Sequence, residues 1–310
     1  MLKYVIRRLL LLIPILLGVI LLIMFIMSLT PGDPGTLLLG MNATPEAIDA
    51  MNEELGFNDP LLVQYAKYVW NAIHGDLGTS WQTGRPVFQE IVKRLPVTFK
   101  LAILSAILTA IIGIPLGIIS AIKKYSVTDM ACTSIAMIFT SMPRFWLGML
   151  LIIYFAVQLK WFPTNGVGTW KHYVLPVFTL AAPTAAKIMR LTRTTMLETI
   201  RSDYVRTARS KGADERRIII HHELKNALLP VITSIGIDFG QLLGGAILIE
   251  TVFSMQGIST LMINAIRMKD TPLVTGSIVF FAAMVCITML IVDLIYAFID
   301  PRIKAKYTKS

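Results

Sequence analysis

Residues 9–29 read Leu9-Leu10-Leu11-Leu12-Ile13-Pro14-Ile15-Leu16-Leu17-Gly18-Val19-Ile20-Leu21-Leu22-Ile23-Met24-Phe25-Ile26-Met27-Ser28-Leu29. No charge interrupts them. As a helix the run measures about 31 Å, which matches the hydrocarbon thickness of a bilayer. Lys3, Arg7 and Arg8 precede it, as in a secretory signal. A signal core is shorter, however, about 7–15 residues, and ends at a small-residue cleavage site. This run leads instead into Thr30-Pro31-Gly32-Asp33-Pro34, so a retained membrane helix is expected.

Five further apolar stretches follow, at 101–122, 132–157, 173–191, 230–253 and 274–298. The fourth is interrupted by Pro176, Pro183, Lys187 and Arg190, and its polar end can snorkel to the interface. The fold class is therefore an all-α integral membrane protein with about six transmembrane helices. Only 15% of the 310 residues are charged and 55% are hydrophobic, against roughly 25% charged in soluble domains. Cys132 and Cys286 both lie in apolar segments, so neither a disulfide framework nor a metal site is encoded.

The net charge of +10 invites a nucleic-acid reading, which fails once the charges are placed. With the N-terminus in the cytoplasm, 19 of the 29 Lys and Arg residues fall in four short cytoplasmic segments. These are residues 1–8, Lys123-Lys124, 187–229 and 302–309. That is the positive-inside pattern, and it puts both termini in the cytoplasm. The partner implied by the charge is the lipid bilayer, with no nucleic acid.

Residues 31–100 form the one long outside segment. Thr44-Pro45-Glu46 predicts a helix start, by cap, first-position proline and early acid, with a stop at Gly56. Leu62, Tyr65, Ala66 and Val69 share one face of a second helix over 61–73, which ends at the turn Gly75-Asp76-Leu77-Gly78. A small helical cap on the outer surface is expected.

Ionisable groups inside spans are costly and mark either a path or a packing network. Asp238 and Gln241 in the fifth span fit both readings equally. Glu250, Asp293 and Arg144 fit packing or anchoring better. Gly236, Gly240 and Gly244 form a GxxxGxxxG row on the fifth span, which lets another helix approach closely. Gly113 and Gly117 repeat the spacing on the second span, where internal packing is the simpler account.

The cytoplasmic stretch from Arg193 to Leu229 is patterned. Leu197, Ile200, Tyr204 and Ala208 recur at helical spacing. Arg209 and Lys211 suit a C-terminal turn, and Gly212 suits the left-handed position after it. Asp214 and Glu215 then favour a second, short helix, with Ile218, Ile219 and Ile220 as its apolar content and the fifth span entered at Asn226 and Pro230. On composition alone, a basic loop resting on anionic lipid is the favoured account.

Tyr204-Val205-Arg206-Thr207-Ala208-Arg209-Ser210-Lys211-Gly212-Ala213, followed by Leu224-Lys225-Asn226-Ala227-Leu228-Leu229-Pro230, resembles the cytoplasmic loop of binding-protein-dependent ABC importer permeases of the peptide/nickel branch. The general family motif, EAA followed by glycine, falls on Arg206, Thr207, Ala208 and Gly212, of which only Ala208 and Gly212 match. Its later I-x-L-P falls on His222 to Lys225, where only Leu224 matches. The peptide-branch variant fits closely. Pro31-Gly32-Asp33-Pro34, Leu61-Leu62-Val63-Gln64-Tyr65, Gly75-Asp76-Leu77-Gly78 and Gln82-Thr83-Gly84-Arg85-Pro86-Val87 extend the resemblance to B-type permeases of dipeptide and oligopeptide importers over nearly the whole chain.

The resemblance implies a type I ABC importer permease fold. Its parts would be an N-terminal transmembrane helix at 1–30, an extracytoplasmic segment at 31–100, a core at 101–300 containing the loop 193–229, and a cytoplasmic tail at 301–310. The implied partners are a second homologous permease, two ATP-binding subunits and an extracytoplasmic substrate-binding protein, in a bacterial plasma membrane. ATP and Mg²⁺ would sit on the ATPases, and this chain would bind no cofactor or metal. Residues 213–221 would be the coupling helix, with Gly212 as its hinge. The implied coupling residues are Ala208, Gly212, Ala213, Asp214, Glu215, Arg216, Arg217, Ile218 and His221.

Other functions fit less of the chain. His222-Glu223-Leu224-Lys225-Asn226 begins like a zinc-hydrolase motif but has Asn226 in place of the second histidine ligand. No P-loop occurs, so energy from ATP needs a partner. A stand-alone secondary transporter would show repeats and paired acids; here Asp238 is alone.

Overall fold

The computed structural model describes residues 2–30, 32–40 and 42–299, and the tail expected at 301–310 lies outside them. The elements are helices α1 (Leu2–Ser28), α2 (Pro34–Leu39), α3 (Pro45–Glu54), α4 (Leu61–Ile73), α5 (Val87–Ile122), α6 (Val127–Ser141), α7 (Arg144–Leu151), α8 (Lys171–Ile200), α9 (Asp203–Ser210), α10 (Glu215–Arg217), α11 (Lys225–Val252), α12 (Ile258–Arg267) and α13 (Thr271–Ile299). Among the described residues the one strand-like pairing is an isolated bridge between Thr79 and Pro86. Five helices are long and apolar enough to cross a membrane, or six when α6 and α7 count as one bent span.

The contacts divide the chain into two units. Among the described residues, the first comprises those up to 98 together with 256–291, and the second comprises 99–255 and 292–299.

In the first unit, local sequence explains the small helices. Asp33 caps α2 by accepting the Thr36 N–H (2.7 Å), and Asn52 of α3 donates to the same carboxylate while accepting the Gly35 N–H at 2.8 Å. The Thr36 amide holds the Asp33 carboxyl below its usual range. A Cβ on Gly35 would lie 2.7 Å from the Ile48 carbonyl, so the chain needs glycine there. Thr44 caps α3 as predicted, and Gly56 follows its end at φ +67°. The helix over 61–73 forms with the predicted bounds. The core of this unit gathers Ile23, Val87, Ile91, Ile258, Leu261, Leu273 and Val274.

The expected outside segment is shorter in helical terms than its sequence bounds. α5 starts at Val87, fourteen residues before the apolar run, and continues without a break to Ile122. At about 1.5 Å per residue, its 36 residues exceed a bilayer core.

The second unit is organised on α8, the most buried of the membrane-length helices. It packs against α6, α7 and α11. Against α5 it forms a small-residue seam. Ser105, Thr109, Gly113 and Gly117 recur every fourth residue, which puts them on one face. The hydroxyl of Ser105 reaches the Val177 carbonyl at 3.4 Å. A Cβ on Gly113 would lie 2.8 Å from the Ala185 carbonyl, and one on Gly117 would lie 2.5 Å from the Thr192 Cβ. Backbones approach this closely only where side chains are absent.

The third span, expected over 132–157, consists of two helices bent by 104°. The cause is Pro143, which pushes the residue before it out of the helical region. Met142 accordingly adopts φ −78°, ψ 129°, and Arg144 opens α7. The second arm ends in a π-helical turn at Ile152–Gln158.

Candidate functional site: the loop after α8 and an intramembrane charge cluster

The predicted long helix through Leu197 and Ala208 is broken. α8 stops at Ile200, and α9 restarts at Asp203 behind Ser202. Gly212 then adopts φ +78°, which a side chain resists. The Ala213 N–H bonds the Ala208 carbonyl (3.3 Å) and the Gly212 N–H bonds that of Arg209 (3.0 Å). These two bonds define a Schellman helix end. Ala208 and Gly212, the two residues that match the general family motif, thus occupy its two key backbone positions.

The segment after Gly212 differs from the predicted free short helix. Glu215–Arg217 passes through a π-helical stretch, Ile218–Leu224, directly into α11. Pro230 lies inside α11 rather than at its entry, a position membrane helices tolerate. The three consecutive isoleucines do not alternate faces cleanly, and the wider π turn accommodates them: Ile218 is fully buried while Ile220 is exposed. A push on this segment therefore acts on the end of a transmembrane helix with no hinge between them.

Two contacts stiffen the turn. Arg209 grips Glu215 across Gly212 by donating through Nε and Nη2, at 2.7 and 3.1 Å. That fork lowers the Glu215 carboxyl from its ordinary range. Beneath it, Ile219 and Leu224 pack with Ala121, Met196, Leu197 and Ala227. The segment is thereby seated on the ends of α5, α8 and α11 together. Its outer surface keeps Ala208, Glu215 and Arg217 partly or fully exposed, along with Asp214. The side chains of Arg216 and His221 lie outside the described residues, as does that of Asp293 in the sixth span. Tyr204 (44% exposed) and Ile220 (45%) add apolar surface to this face.

A buried ion pair anchors the loop's upstream end. Asp129 of α6, 3% exposed, accepts two bonds from Arg193 of α8, at 2.7 and 2.8 Å. Ser120 of α5 and the Tyr125 N–H (2.9 Å) complete its shell. Sequence reading missed Asp129, because an aspartate three residues into a helix also reads as ordinary N-terminal charge.

The second cluster lies within the membrane helices. Asp238 is 1% exposed and accepts a 2.6 Å bond from the Lys187 ammonium, with Ser234 as a weaker donor at 3.4 Å. Lys187, expected to snorkel away, thus turns toward α11 while half its side chain remains exposed. Arg144, first residue after the bend, donates to Thr184 (3.3 Å) and feels the Asp238 charge. Its guanidinium lies against Gly245, where a Cβ would collide with it. The structure does not gather every predicted residue here. Gln241 points to the exposed side; Gly236 is half-buried, Gly240 is buried, and Gly244 is exposed with no atom within 4 Å of an added Cβ. Glu250 is fully buried farther along α11.

In the second unit, α5, α6, α7 and α11 pack on α8, a helix-break-helix loop is seated on three helix ends, and a charge cluster lies among the membrane-length helices. The chain matches the model of the binding-protein-dependent transport system inner membrane component over residues 113–305, and that family's N-terminal companion over residues 1–102. It belongs to that family and is a permease subunit of an ABC importer. The glutathione transport system permease GsiC of Escherichia coli K12 is 41% identical over 306 residues, covering 99% of this chain and 100% of that protein. GsiC of Pectobacterium atrosepticum has the same identity and coverage. Among solved structures, the inward-facing MetNI methionine ABC transporter superposes with a TM-score of 0.58 at 18% identity, covering 69% of this chain and 97% of that one. An amino acid ABC transporter gives a TM-score of 0.52 at 17% identity, covering 69% and 94%.

Proposed function

We propose that this permease forms half of the path of a small-peptide importer in a bacterial plasma membrane. It pairs with a homologous permease, two ATP-binding subunits and an extracytoplasmic binding protein. Both of its termini face the cytoplasm. ATP and Mg²⁺ are held by the ATPases, and the permease itself binds no cofactor or metal. The observation that carries the reading is full-length 41% identity to permeases named for glutathione, itself a peptide. The loop geometry supports the ATPase partnership: an exposed face over α9 and α10, joined without a hinge to α11. ATP binding closes the ATPases, the loop follows, and α5, α8 and α11 move with it.

The same similarity favours glutathione as a second reading over nickel. Proteoliposomes containing the assembled importer, supplied with ATP and binding protein, distinguish these. Uptake of labelled di- and tripeptides, reduced by unlabelled short peptides, is the expected result. Competition by glutathione alone narrows the substrate, and uptake of Ni²⁺ with no peptide uptake contradicts the proposal.

A further inference from the structure

The helix α4, placed by its polarity in an outer cap, has three faces rather than two. Leu61, Tyr65, Tyr68 and Val69 pack on Leu16, Ile20 and Met24 of α1 and on Val279 of α13. Gln64, Lys67 and Asn71 form a polar edge, with Lys67 paired to Asp59 at 2.7 Å and Gln64 bonded to the Phe57 and Asp59 carbonyls. The third face is apolar and uncovered: Leu62 is 71% exposed, Trp70 66% and Ile73 74%, with Ala66 exposed between them. Spacings of four, four and three put these residues in one stripe.

The register against α1 says what covers that stripe. The Tyr65 hydroxyl reaches the Leu17 carbonyl at 3.4 Å. Leu17 lies at the middle of the apolar span Val5–Ser28, about 16 Å along the helix from Ser28. An outer cap would contact only the end of α1. A helix whose side chains meet α1 from Leu16 to Met24 lies at the depth of acyl chains.

We propose that α4 is an interfacial helix embedded in the leaflet that holds the C-terminal half of α1. Its Leu62–Ala66–Trp70–Ile73 stripe lies in lipid, and its Gln64–Lys67–Asn71 edge faces water. The exposed apolar arc beside a polar edge is the arrangement of a helix seated in the lipid interface. Tyr65 extends below it to α1. The occupant of the stripe is acyl chain rather than protein.

Nitroxide accessibility tests this in the assembled importer in phosphatidylethanolamine/phosphatidylglycerol vesicles. Cysteine is introduced singly at 62, 66, 70, 73, 67 and 71 in a background lacking Cys132 and Cys286. Labels at 62, 66, 70 and 73 are expected to favour oxygen over a water-soluble nickel chelate several-fold more than labels at 67 and 71. Equal nickel access at both sets overturns the proposal in favour of a water-exposed cap. Exclusion of both reagents from the stripe overturns it in favour of a protein cover. Retained uptake in the labelled variants certifies the fold.

Discussion

Asp129→Ala is expected to abolish uptake by removing the carboxylate that pins Arg193. Removing Asp129 leaves the Arg193 guanidinium, 24% exposed, without its partner, so the cost lies below the about 3–5 kcal/mol of a fully buried pair broken from one side. Here Asp129 is 3% exposed and carries three hydrogen-bonding elements at once: α5 through Ser120, the Tyr125 turn and α8 through Arg193. The loss falls where α8 hands over to α9, so it disorders the loop's approach before it disorders the bundle. Expression, thermal stability in detergent and uptake check this. Asp129→Asn is expected to recover part of the stability, since an amide still accepts from Arg193. Wild-type stability and uptake in Asp129→Ala contradict the anchoring role.

The second large effect is expected at Lys187. Lys187→Met leaves the buried Asp238 carboxylate with Ser234 as a weak donor and the Arg144 charge nearby, at a cost of at least about 1–3 kcal/mol for the desolvated group. Combining it with Asp238→Leu removes both charges and is expected to restore insertion and stability, as apolar replacement of a whole buried pair commonly does. Uptake is expected to stay low in the double variant, because the half-exposed Lys187 and the bend residue Arg144 present charge inside the spans. Recovery of uptake together with stability contradicts a path role and leaves the pair as packing. The two readings that Asp238 admits in sequence are thereby separated.

The sequence carries the membrane-length helices of this chain openly, because bilayer length is a one-dimensional signal. It also carries the local punctuation: Thr44, Gly56, Gly75 and Gly212 sit where capping and left-handed geometry require them. What it hides is decided by partners distant in sequence. Lys187 looks like a snorkelling end until Asp238, 51 residues on, supplies its counter-charge. Met142-Pro143 looks like one more tolerated membrane proline until the bend of 104° appears, since interior prolines at 14, 176, 183 and 230 leave their helices continuous. The coupling segment looks like a separate helix because Asp214 and Glu215 begin one; its fusion to α11 through a π turn follows from Ile219 and Leu224 packing on other helices. The GxxxGxxxG row shows the limit of spacing: the close approach on α11 falls on Gly245, beneath Arg144, while Gly244 faces open space.

The surface over α9 and α10 is the proposed face on which a separate ATPase acts on this permease. The direct test is site-specific cross-linking from Arg217, an exposed residue of α10. Arg217→Cys, in a background lacking Cys132 and Cys286, is treated with a short photoactivatable maleimide in membranes containing the whole importer. The account predicts an adduct with the ATP-binding subunit, with a yield that changes on ATP binding. It also predicts loss of that ATP response in Gly212→Val, whose strained turn misdirects α10. Active, ATP-driven uptake with no adduct to the ATP-binding subunit at this position contradicts it.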